Sequence, residues 1–224
     1  MPQYCGCGKR NSIEHTLDCK LGGYVHIRHN YIRDTEARIM REVAFDVSIE
    51  PGLEKVSKNV RLAPGTKTED NARLDVSARG IFSSHERTFF DVRITNPNAP
   101  SNRSLSIAAV YEKHEKEKMR AYNDRVLQVE KASFVPLVYT TSGGMSPQCV
   151  KTHKRIAGLV ADKRKEKYSD VINHIRTRLR FALLKSILVA VRGARGKTSR
   201  YLNENNLGNI SFNLIPFVPT YEGY

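Results

Sequence analysis

The chain has 224 residues, with 37 Lys and Arg against 23 Asp and Glu and a formal charge of +14. That length sets one domain with appendages or two small ones, and the charge makes polyanions the expected partners. No apolar run nears the ~18 residues of a membrane-spanning helix, so a membrane is not an expected partner, and the first residues hold no apolar signal segment.

Four cysteines, three of them clustered, argue for metal or a reducing compartment over a disulfide framework. Cys5, Cys7, His15 and Cys19 spell C-x-C-x7-H-x3-C. Three thiolates and an imidazole suit tetrahedral Zn²⁺. Gly6 and Gly8 flank Cys7 and allow a tight turn. One helical turn would set His15 and Cys19 on one face. This knuckle, residues 1–22, has little core of its own, so metal would supply its folding energy.

After Gly22-Gly23 a helical pattern runs from Tyr24 to Val43, with Val25, Ile32, Ile39 and Val43 on one stripe. Arg28-His29-Asn30 lies on its first turns. Glu36 falls inside the stripe and Glu42 near its edge; each faces solvent or a metal site, with solvent favoured for Glu36. Residues 44–50 alternate as a strand and stop at Pro51-Gly52. Residues 53–71 are polar and read as a loop.

Next come two alternating apolar runs, 72–82 and 88–97, joined by a short polar link. Each carries one aspartate, Asp75 and Asp91. An antiparallel hairpin sets both carboxylates at one level of one face. Charges in strand centres are costly unless paired or bound to a cation, and two together invite Mg²⁺. The alternative is two aspartates at exposed strand positions.

A loop at 96–102 precedes a long helix over 105–132. Tyr111, Met119, Tyr122, Val126 and Val129 form its stripe, and Glu115 and Lys118 share it. Lys118 either meets an inward anion, for which the hairpin carboxylates would serve, or snorkels at the stripe edge. Residues 134–141 read as a strand, ending in a Ser142-Gly143-Gly144 turn. Helix, three strands, helix, strand describes an α/β sandwich with a small mixed sheet. These elements make a core over 23–147.

Residues 151–200 hold 15 Lys and Arg against 3 Asp and Glu, nearly the whole charge excess. They fall on two helices, 149–167 and 169–192, which form a basic pair over 148–192. The second has an apolar stripe of Ile172, Ile175, Leu179, Leu183, Ile187 and Val191, leaving the opposite face for a polyanion or for solvent. Cys149 stands apart and reads as a buried or incidental thiol. Residues 193–224 lose helical pattern at Gly193 and Gly196 and read as an irregular tail.

The knuckle, the Arg28-His29-Asn30 helix, Asp75, Asp91-Val92-Arg93 and Lys118-x-x-x-Tyr122, in this order, resemble a known family. They are similar to the PD-(D/E)xK restriction-like nucleases in αβββαβ order. More narrowly, residues 5–140 resemble the endonuclease domain of site-specific non-LTR retrotransposon reverse transcriptase proteins. Leu74 stands where that family has proline, and Arg93 where the shorter motif has lysine. The retrotransposon enzymes take their lysine from the following helix, where Lys118 stands.

The resemblance implies a Mg²⁺-dependent DNA endonuclease that nicks target DNA. Asp75 and Asp91 would bind Mg²⁺, Lys118 or Arg93 would steady the phosphate charge, and Glu42 would complete the metal shell. Arg28, His29, Lys151, Lys154, Arg155, Lys163, Arg164, Arg176 and Arg180 would contact nucleic acid. DNA is the expected partner, with element RNA beside it and a polymerase domain in cis or in trans. The expected location is nuclear. No polymerase domain precedes the knuckle, so the chain reads as a fragment, a solo derivative or a relic. The rival classes are a non-catalytic zinc-knuckle binding module, which has no need of paired acids, and a structural subunit of a polymerase machine.

Overall fold

The computed structural model describes residues 3–193; the tail expected over 193–224 lies, after its first residue, outside the described residues. The elements are α1 (Ile13–Asp18), α2 (Tyr24–Met40), β1 (Phe45–Ile49), β2 (Val76–Arg79), β3 (Arg87–Thr95), α3 (Ile107–Gln128), β4 (Ser133–Thr140), α4 (Pro147–Arg164) and α5 (Tyr168–Arg192). The molecule is a mixed α/β structure with a four-stranded sheet in the order β1-β2-β3-β4. β1, β2 and β3 are antiparallel neighbours, and β4 joins β3 in parallel. The parallel step needs a crossover, and α3 supplies it.

Local chemistry sets the boundaries. Ser12, Ser106 and Ser146 each cap the following helix, accepting from the backbone N–H of His15, Ala109 and Cys149. Pro147 occupies the first turn of α4, where a missing N–H costs nothing. β2 is shorter than the alternating run around it. Leu74 turns into a second apolar cluster beside Phe89, Tyr122 and Val126, and Gly80 has φ of +94°, which ends the strand.

The main core draws on both sheet and helices: Ile32 and Ile39 of α2, Phe90 and Val92 of β3, Leu137 of β4, Ile156 of α4, and Ile175 and Leu179 of α5. α4 and α5 therefore share one core with α2 and the sheet. The smaller cluster lies between α3 and the other sheet face, where Phe89 of β3 and Phe134 of β4 meet Tyr122 and Val126.

Glu36 departs from the solvent reading. It is fully buried and accepts hydrogen bonds from the Tyr139 hydroxyl and from His153 Nε2, the latter at 2.8 Å. His153 Nδ1 lies 3.9 Å from the Cys149 sulfur, so Cys149 is a member of this network. Burial alone would lower the His153 pKa, but Glu36 and Cys149 outweigh it and hold the imidazole well above its usual value.

Candidate functional site

At the N-terminus the sequence folds tightly. Gly8, with φ of +87°, donates its N–H to the Cys5 carbonyl, and the Cys5 N–H returns to Lys9. The Ser12 cap starts α1, which carries His15, and Cys19 ends it with its N–H on the His15 carbonyl. The four side-chain donors of Cys5, Cys7, His15 and Cys19 all lie within 4.8 Å of one another. Cys5 and Cys19 sulfurs are 3.7 Å apart, and Cys7 Sγ is 3.3 Å from His15 Nε2. A tetrahedron with Zn–S of ~2.3 Å and Zn–N of ~2.0 Å has S–S edges near ~3.8 Å and S–N edges near ~3.5 Å. These two edges match a zinc-sized ion, and the 4.8 Å span leaves all four donors able to hold one. A backbone hydrogen bond from Lys9 lowers the Cys7 pKa, toward the thiolate that a metal needs.

Packing of α1 on α5 and two hydrogen bonds fasten this cluster to the rest. Arg28 Nη2 donates to the Leu17 carbonyl at 3.0 Å, and Asn96 Nδ2 donates to Asp18 Oδ2 at 2.7 Å. Arg28 is 3% exposed. It is a strut between α2 and the knuckle, and it also lines the cleft beside the acidic site of Asp75 and Asp91.

The second site lies where β2 meets β3. Val76 pairs with Phe90. Asp75, one residue earlier, straddles Asp91: its N–H bonds the Phe90 carbonyl at 3.1 Å, and its Oδ2 accepts the Val92 N–H at 2.6 Å. Each carboxylate meets a side-chain nitrogen from a helix. His29 Nε2 of α2 is 2.8 Å from Asp75 Oδ1, and Lys118 Nζ of α3 is 2.6 Å from Asp91 Oδ2. Lys118 therefore points inward. Its ammonium lies directly against the buried Asp91 Oδ2.

Burial raises the Asp91 pKa; Lys118 opposes that shift and Asp75 adds to it. The site thus sets a buried and a half-buried carboxylate side by side, each against a side-chain nitrogen from a helix. Among the described residues the knuckle is the one gathering of three or more His, Cys, Asp and Glu donors of this kind; the acidic site offers two carboxylates. A cleft lined by His26, His29, Val92, Arg93 and Lys118 opens beside it.

Arg93 is exposed on the same strand, within electrostatic reach of Glu117 and His114. Glu42 is not brought to the pair. Arg164 Nη2 lies 3.1 Å from its Oε2, and Arg178 holds its Oε1. The reason is topological: α2 enters at the site end of the sheet and leaves at the other. Lys163 also donates to the Glu42 carbonyl, and Arg155 donates to the Ile81 carbonyl. Ile81 follows the pairing of Arg79 with Arg87, about 13 Å from Asp91 at roughly 3.3 Å per residue. Arg155, Lys163 and Arg164 thus serve the far end of the sheet. Lys151, Lys154 and Arg180 are exposed, and Arg176 is half-buried.

Three residues carry weight that the sequence reading missed. Arg33 reaches Glu50 and Asp34 beside Asp75. Lys67, from the long loop before β2, stands 5.4 Å from the centre of the Tyr122 ring, which Lys118 also flanks at 5.8 Å. Arg125, fully buried in α3, holds that loop. Lys67 lies in a loop, which has no periodicity to read, and Arg33 and Arg125 have partners far along the chain.

No helix among the described residues is long and apolar enough to cross a membrane. No family model matches the chain, and no curated protein matches it.

Proposed function

We propose that the chain is a metal-dependent endonuclease of restriction-like type that hydrolyses a DNA phosphodiester, with a zinc knuckle beside the catalytic unit. The observation that supports it most is the placement of Asp75 beside Asp91 at the β2–β3 junction, with Lys118 of α3 against Asp91. The helix, three strands, helix, strand order agrees with that reading.

Asp75 and Asp91 would hold the ion, with the Val92 carbonyl between their strands as a further oxygen. Bound Mg²⁺ supplies charge to the phosphate and lowers the pKa of its water. Lys118, which lies against Asp91, would present its ammonium to the phosphate oxygens of a substrate at that carboxylate. His29 orients the Asp75 carboxylate. The site's cations attract the polyanion, and the buried Asp91 is the group whose charge most needs one. The retrotransposon setting, with a polymerase domain as partner and a nuclear location, belongs to the same proposal and rests on the resemblance of residues 5–140.

A second reading has its own support. His29 and Lys118 already engage both carboxylates, an arrangement that also suits a relic whose ion pairs are purely structural. Incubation of pure protein with supercoiled DNA and Mg²⁺, beside an Asp91→Ala control, separates the two. Nicking by wild type alone supports the nuclease; no nicking with Mg²⁺ or Mn²⁺, together with retained DNA and zinc binding, supports the binding module or relic.

A further inference from the structure

The segment between β1 and β2 has no regular hydrogen-bonding pattern of its own, yet it is fixed. Arg125 of α3 donates from Nη1 to the carbonyls of Lys67 and Glu69, at 3.1 and 3.0 Å, and from Nη2 to the carbonyl of Glu54, at 2.8 Å. The Lys67 N–H donates to the Ala121 carbonyl at 2.9 Å, and the Ala63 N–H to Asp124 Oδ2 at 2.6 Å. Gly65, with φ of +87°, lets the chain pass close to Arg120, whose side chain would lie 3.3 Å from an added Cβ. A buried guanidinium spent on carbonyls is a costly way to hold a loop, and so marks a place where position matters.

That position puts a second ammonium at the acidic site. Lys67 and Lys118 flank one Tyr122 ring, and Lys118 reaches Asp91. Lys67 is exposed, so its charge is available to a ligand. Resting on the nuclease reading, we infer that the 53–71 loop is a substrate-holding element, and that Lys67 binds a DNA backbone phosphate next to the one at Asp91. Lys118 then acts on the reacting phosphate, and Lys67 fixes its neighbour. The exposed Arg120, against the same loop, extends the cationic edge.

The test uses the full chain carrying Asp91→Asn, which permits binding without cleavage. Affinity for a fluorescent duplex of about 30 base pairs is measured between about 50 and 300 mM KCl. Added Lys67→Met keeps the stem over Tyr122 and removes the charge. The expected result is weaker binding and a log–log salt slope shallower by about 0.9, one phosphate contact. Lys67→Arg, which keeps the charge, retains the parental slope. A parental slope in Lys67→Met, with the parent binding DNA normally, overturns this inference and leaves the nuclease reading standing. An equal loss of slope in Lys67→Arg, with equal thermal stability, overturns it too, since charge would not be the cause. A parent that shows no salt-dependent DNA binding overturns both the inference and the reading beneath it.

Discussion

Buried ionisable groups decide what single substitutions do. Asp91 is held above its usual carboxylate range by burial, so the fold favours its neutral form. The charged form therefore costs stability, and that cost appears as pH rises through the folded pKa. Asp91→Asn removes it. The expected outcome is a Tm no lower than wild type at neutral pH, with cleavage abolished and DNA affinity unchanged or tighter, measured by thermal melts, nicking and anisotropy. The Glu36–His153 pair also loses stability as pH rises, but there the charged imidazole is the form that the fold holds. His153 sits above its unfolded pKa, so its contribution is complete below about pH 6.5 and is lost as pH rises through the elevated value. Tyr139 and Cys149, which face the same imidazole, belong to the network. His153→Ala leaves Glu36 buried without its cation and is expected to cost about 3–5 kcal/mol in urea denaturation. That gap should be widest in mildly acid buffer and narrow toward alkaline pH. A gap that widens with pH would show that the imidazole is neutral in the fold.

Elements differ in how much of them the sequence discloses. α2, α3 and α5 have stripes at helical spacing, and β3 alternates, so each is readable from periodicity. The pairing of Asp75 with Asp91 is readable because a short link fixes hairpin register. Lys118 is readable because it breaks an apolar stripe. Glu36 breaks one too, yet its partners Tyr139 and His153 are 103 and 117 residues away, and no local pattern encodes them. The 53–71 loop is opaque for the same reason: Arg125, on another element, holds it. At this scale the helix lysine and the strand arginine compete for one role. Lys118 is 2.6 Å from Asp91, whereas Arg93 faces Glu117 and His114. Lys118→Ala is expected to lower the cleavage rate by about 10²-fold or more, and Arg93→Ala by less than about tenfold. The reverse order in single-turnover assays would move the role to Arg93. The knuckle contributes no residue to either apolar cluster, although α1 packs on α5. Cys7→Ser should therefore lose bound zinc by metal analysis while keeping the cooperative unfolding of the core; equal zinc in both proteins would remove Cys7 from the ligand set.

Across the whole molecule the charge excess divides into cations that build the fold and cations left for a partner. Lys163, Arg164 and Arg178 close on Glu42, and Arg155 closes on Ile81, so α4 and α5 are tied to the far end of the sheet. Ile156, Ile175, Leu179 and Leu183 of these helices lie in the main core. Removing both helices would expose that core, so a truncated chain cannot report on DNA contacts. Charge substitution can. Lys151, Lys154 and Arg180 are exposed and Arg176 is half-buried, with no core role among them. Replacing all four by Gln should leave Tm nearly unchanged, since surface substitutions rarely shift stability by more than about 0.5 kcal/mol each. If they meet phosphate, the salt slope of DNA binding falls by about 0.9 for each lost contact. Arg164→Gln gives the opposite pattern, because it loosens the Glu42 anchor: a lower Tm and an unchanged slope. A fourfold variant that keeps the full wild-type slope would assign these cations to solvent, and would leave the edge formed by Lys67, Lys118 and Arg120 as the surface that meets DNA.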